Sequence, residues 1–193
     1  MNYAKVNLAC GRNPENKLPQ PWLNVDLDGP AADYLCDISD LPDEWTGVFD
    51  TVRASHVLEH FFMEEMDSVI QEWMRVLKPG GELMIIVPDL NIVIQDLVMG
   101  KDSKGRPSVS MNQTTAIMTQ IFGAGYASRS TAAPWAHHFL FNEDLLRELL
   151  ERNGLVNFSV YDQKEDPAAK NGIKDDSQNP FSICVHAFKK LEA

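Results

Sequence analysis

The chain has 193 residues, within the range of a single domain and too short for two full-size domains with separate cores. Hydrophobic residues make up 44% and charged residues 23%, a balance that supports a core and excludes whole-chain disorder. Seventeen Lys plus Arg stand against 28 Asp plus Glu, a formal net charge of −11, so the long-range field repels phosphate backbones and argues against a nucleic-acid partner.

Apolar runs such as Leu83-Met84-Ile85-Ile86-Val87 fall far below the ~18 residues that crossing a bilayer needs, so no membrane partner is expected. The opening Met1-Asn2-Tyr3-Ala4-Lys5-Val6 lacks a signal-peptide layout, and a cytoplasmic location is the expectation. Cys10, Cys36 and Cys184 are odd in number and form no CxxC pair, which predicts reduced, mostly buried thiols.

In chain order, the strand candidates are 4–9, 22–25, 34–36, 48–54, 82–87, 155–161 and 182–188. Several are short, continuous apolar runs, as expected of strands covered on both faces. Met66, Val69, Ile70, Trp73, Met74 and Leu77 recur at helical spacing before Pro79-Gly80-Gly81 stops the helix. A second helix starts after Asn142, a good N-cap, presents Leu145, Leu146, Leu149 and Leu150 on one face, and ends at Gly154. This alternation predicts an α/β domain built on a mainly parallel sheet.

Two further helices are expected at 90–99, capped by Asp89, and 111–122, with residues 90–138 forming a lid or acceptor-site insertion within one domain spanning 1–193. The segment 162–180 is charged, with few apolar anchors, and is read as a mobile, solvated connection.

The chemistry concentrates at strand ends. The first strand runs into Ala9-Cys10-Gly11, small residues where the chain must turn sharply and admit a ligand to its backbone. Asp26 ends the second strand candidate and Asp37 the third. A carboxylate beside such a turn accepts both hydroxyls of a ribose in nucleotide-binding α/β folds, and Asp37 with Cys36 and Ile38 is placed to hold an adenine; the alternative is that each aspartate only caps a loop.

The ordered series Asn7-Leu8-Ala9-Cys10-Gly11, Asn24-Val25-Asp26, Asp37-Ile38-Ser39-Asp40-Leu41-Pro42, Phe49-Asp50-Thr51-Val52, His56-Val57-Leu58-Glu59-His60 and Arg75-Val76-Leu77-Lys78-Pro79-Gly80-Gly81 resembles a small class I S-adenosylmethionine-dependent methyltransferase of the type 11 kind. The resemblance implies a Rossmann-like, seven-stranded sheet with helices on both faces and a last strand antiparallel to its neighbours. It implies S-adenosyl-L-methionine as cofactor, with Asn7, Ala9, Cys10 and Gly11 against its methionine part, Asp26 and Leu27 at the ribose, and Cys36, Asp37 and Ile38 at the adenine. Ala54, Ser55 and His56 would border the sulfonium. Two positions depart from the family: Ala9 and Asn13 are commonly glycine there. The segment 12–21, with Pro14, Pro19 and Pro21, lacks the usual full helix, and no helix precedes the first strand. Thin cover of the sheet near its first two strands is therefore expected, and with it a homodimer through that side.

His56, His137 and His138 are the candidate bases. Tyr126, Trp135, Phe139 and Phe141 are candidates for an acceptor pocket or for core. The expected function is methyl transfer to a small-molecule or glycan-like acceptor. One alternative is a catalytically inactive protein that binds the cofactor or its product. Others are nicotinamide-dependent oxidoreduction and zinc hydrolysis, since His56-Val57-Leu58-Glu59-His60 matches H-x-x-E-H. That hydrolase pattern needs both histidines on one helix, whereas His56 directly follows a strand, so no metal ligand is assigned.

Overall fold

The computed structural model describes residues 3–99, 121–122 and 136–191. Seven strands form one sheet: β1 (Lys5–Leu8), β2 (Trp22–Asp26), β3 (Tyr34–Leu35), β4 (Phe49–Ser55), β5 (Leu77–Pro88), β6 (Val156–Val160) and β7 (Ser182–Phe188). Their order is β3-β2-β1-β4-β5-β7-β6. β1 to β5 pair in parallel, and β7 runs antiparallel to both β5 and β6. This is the expected Rossmann-like arrangement.

Helix α1 (Met66–Val76) lays Val69, Ile70, Trp73 and Val76 on the sheet, all buried. It stops one residue before the apolar stripe does, because Leu77 turns extended and pairs with Phe49, so β5 begins well ahead of the expected Glu82. Helix α2 (Leu90–Met99) follows β5, and Asp89 Oδ1 accepts the Asn91 amide at 2.9 Å, as a cap does. Helix α3 (Glu143–Arg152) is capped by Asn142, whose side chain accepts from the Leu145 amide, and buries Leu146, Leu149 and Leu150. No helix among the described residues is long and apolar enough to cross a membrane. Of the expected helix 111–122, only 121–122 lie within the described residues, and these are helical; Tyr126 and Trp135 lie outside them. Phe139 and Phe141 pack on each other at 4.9 Å and join the core.

The connection 162–180 differs most from expectation. It folds into two single helical turns, Gln163–Glu165 and Asp176–Gln178, flanking a short helix α4 (Pro167–Lys170), and it buries Asp166, Ala168 and Ser177 completely. The reason is a cation inside the sheet. Arg53, 2% exposed on β4, donates from Nε and Nη2 to the two oxygens of Asp166 (3.0 and 2.9 Å) and from Nη2 to Asp175 (2.7 Å). A guanidinium there requires carboxylates over it, and the segment supplies them.

The same segment alters the picture near the first strands. Between β1 and β2 only Pro14–Asn16 is helical, a single turn, as the prolines suggest. Yet Leu18, Trp22 and Ala168 form a small buried cluster with Ile173 against it, so α4 and Ile173 beyond its end provide cover that the sequence left unassigned.

Candidate active site

β1 lies between β2 and β4, so the connections on its two sides leave in opposite directions and the carboxyl ends of these strands open onto a crevice. The chain leaves β1 through Ala9 at φ 52° and Gly11 at φ 78°, both in the left-handed region. A Cβ at Gly11 would meet nothing within 4 Å, so the bare backbone fronts open space. Asp26, at the tip of β2, holds this turn: Oδ2 accepts the Gly11 amide at 2.8 Å and Oδ1 its own neighbour Leu27 at 2.8 Å. Asp37 Oδ1 accepts from the Ser39 amide and hydroxyl at 2.9 and 2.7 Å. The next carbonyl, that of buried Ile38, accepts from Trp73 Nε1 at 3.0 Å, which fixes the loop to α1.

These tips surround a cleft of about 760 Å³. Asn7, Ala9, Cys10, Gly11, Asp26 and Leu27 line one side of the expected site, and Asp37, Ile38, Ser55, His56, His137 and His138 complete it. Two expected residues lie outside the lining. Ala54 is buried in the core, because strand residues alternate and Ser55 takes the cleft position. Cys36 packs half-buried on the core beside it. Burial, with the charge of Asp26 nearby, pushes the Cys10 thiol up to about 12, and burial with Asp37 pushes Cys36 up to about 11, so both are neutral thiols at physiological pH.

Beyond β4 the cleft acquires a second character. His56 sits at φ 51°, and only Leu58–His60 form a helical turn, so His56 and His60 do not share a helix face as H-x-x-E-H hydrolases require. His56 Nε2 contacts Ser182 Oγ at 2.8 Å, and its Nδ1 lies 3.4 Å from Glu59 Oε1. Glu59 is fully buried, and neither of its oxygens accepts a hydrogen bond from any described residue. Burial opposes its ionisation, but the imidazoles of His56, His60 and His137 prevail and hold it below the usual carboxylate range. The 136–139 strap is tied to the same residue, for the Glu59 carbonyl accepts the amides of His138 (2.8 Å) and Phe139 (3.3 Å). His138 stacks on Phe62 with centroids 3.9 Å apart.

Sequence reasoning passed over Arg53 and Asp175, which also line the cleft, and met Glu59 and His60 only within the His56–His60 segment, giving neither a role of its own. An arginine between Val52 and Ala54 in the middle of a strand was the available signal for the first; Asp175 had none.

Residues 14–85 match the family model described as a methyltransferase domain. Over that span the chain is similar to methyltransferases, and its sheet has their Rossmann-like fold. No curated protein matches it. Its fold is similar to that of a SAM-dependent methyltransferase from Methanosarcina mazei, at 16% identity and TM-score 0.55, covering 100% of this chain and 95% of that one. A SAM-dependent methyltransferase from Thermotoga maritima is similar at 16% identity and TM-score 0.54, covering 96% and 82%. Human N-acetylserotonin methyltransferase in complex with SAM matches at 12% identity and TM-score 0.52, covering 97% of this chain and 48% of that one. The methyltransferase cofactor, S-adenosylmethionine, suits the cleft: its volume lies within the ~300–1,000 Å³ of ligand sites, the Gly11 backbone leaves room, and Asp26 keeps lone pairs beyond those its two amides use.

Proposed function

We propose that the protein methylates a hydroxyl or amine of a small-molecule or glycan-like acceptor held at the histidine-lined end of the cleft. One observation carries this reading: a single cleft joins Gly11, Asp26 and Asp37 at strand tips to His56, His137 and His138. When bound, the cofactor supplies a methyl on a sulfonium. That methyl would be open to direct displacement by an acceptor lone pair, with the sulfur keeping the electron pair of its broken bond.

The residues serve alignment and proton removal. Asp26 would accept from the ribose hydroxyls, Asp37 and Ile38 would hold the adenine, and the turn at Ala9-Cys10-Gly11 would take the methionine part. Asp175, fixed by Arg53, offers a carboxylate to an ammonium. Ser55 and His56, which line the same cleft, would border the sulfonium. A proton taken from the acceptor by His56 places positive charge 3.4 Å from Glu59, whose negative charge stabilises it.

Calorimetric titration with S-adenosylhomocysteine, NAD and adenosine, followed by transfer of labelled methyl to a panel of sugars, phenols and small amines, tests the proposal. S-adenosylhomocysteine alone should bind, and His56→Ala should lower turnover with unchanged affinity for it. Binding without transfer to any panel member would favour the inactive binding protein, and methylation of protein or RNA instead would overturn the acceptor class.

A further inference from the structure

The acceptor end of the cleft holds a cluster of which methyl transfer calls only on Glu59 Oε1, as counter-charge to His56, and leaves the gathering of His60 and His137 around it unexplained. Glu59, His60 and His137 each offer one ligand atom, and the three atoms lie within 4.8 Å of one another. His137 Nε2 stands 3.9 Å from Glu59 Oε1. A buried carboxylate whose oxygens accept no hydrogen bond from the described residues is disfavoured unless a cation meets it. His60 is already set for that task. A carbonyl only accepts, so the 3.0 Å contact with Ala136 puts the proton of neutral His60 on Nδ1 and leaves the Nε2 lone pair for a ligand. A backbone carbonyl behind a ligating imidazole is the usual outer support of metal-bound histidine.

We propose that Glu59, His60 and His137 bind a divalent first-row transition metal of the zinc class, with a remaining coordination position open to the cleft. Two imidazoles and one carboxylate suit zinc, whereas magnesium and calcium favour all-oxygen sets. Three protein ligands leave the fourth position for water or an acceptor atom. Tetrahedral ligand atoms ~2.0–2.2 Å from zinc stand roughly 3.4 Å apart, so binding draws the side chains inward. The site is not the hydrolase arrangement: Glu59 is a ligand rather than a base, and His137 arrives from a separate segment in place of His56. Delivery of an acceptor to the open position rests on the proposed function, but metal binding does not.

The test uses full-length protein stripped of metal by chelation. It is titrated with Zn2+ against a chromophoric chelator and with Co2+ read by visible absorption, and S-adenosylhomocysteine affinity is measured on the same samples. One equivalent of Zn2+ should bind and raise the melting temperature, with at least tenfold weakening in Glu59→Gln, which keeps the side-chain volume, and in His137→Ala. His186→Asn, at a histidine engaged with Ser159 and Glu82 on β7, should bind as the parent does. No stoichiometric binding by the parent, or undiminished binding by both cluster variants, overturns the site. Zinc binding without S-adenosylhomocysteine binding leaves the metal site standing and sinks the methyltransferase reading; nucleoside binding without zinc does the reverse.

Discussion

Gly11 and Asp26 are joined by a 2.8 Å hydrogen bond from the amide of the first to Oδ2 of the second, which locks the turn after β1 to the tip of β2. The carboxylate shapes the turn, and under the proposed function it also receives a ligand hydroxyl. Asp26→Ala should weaken S-adenosylhomocysteine binding by ~1–3 kcal/mol, the cost of leaving buried partners unmet. Calorimetry reads it directly, and unchanged affinity would mean the ribose is held elsewhere.

Ala9 departs from the family's glycine, and its φ of 52° shows why glycine is common there. A left-handed L-residue costs ~1–2 kcal/mol, offset in part by glycine's greater entropy when unfolded. Ala9→Gly should therefore be stabilising, by up to ~1 kcal/mol. Urea denaturation would show this as a higher midpoint; a lower one would contradict the strain. Asn13 needs no such freedom, since at φ −80° its side chain caps the turn at Glu15.

The pair of Arg53 and Asp166 is buried on both sides, at 2% and 0% side-chain exposure. Removing one partner strands the other charge, so Asp166→Ala should lose ~3–5 kcal/mol. Asp175 remains beside Arg53, which places the loss toward the lower end. Equilibrium unfolding measures it, and a change within the ~0.5 kcal/mol of ordinary surface substitutions would remove Arg53 as the reason the 162–180 segment folds.

Alkaline pH should destabilise the fold. Burial raises the thiols of Cys10 and Cys184 to about 12 and Cys36 to about 11 from an ordinary 9.0, and it raises the Tyr161 phenol as well. Folded groups then keep protons that the unfolded chain releases. Their stabilising effect is full below about pH 9 and declines as pH rises toward 11–12. Melting temperatures recorded from pH 8 to 11 should fall, and native-state alkylation at pH 8 should be slow at Cys10 and Cys184; prompt labelling of both would contradict the burial.

Strand tips and helix faces were legible in the sequence because they depend on near neighbours. Trp73 and Val69 declare a helix face by spacing, and Gly11 and Asp26 mark strand ends by residue type beside apolar runs. The amino-acid sequence by itself thus determined the sheet, its strand-end cleft and the likeness to methyltransferases. Only the tertiary structure decided that Arg53 would meet Asp166, that Ser55 rather than Ala54 would face the cleft, and that Glu59 would gather His60 and His137. A spacing pattern reports which side chains share a face within a few residues, whereas these contacts form between segments up to 113 positions apart, where partners are chosen by the geometry of the folded chain and the need to compensate buried charge.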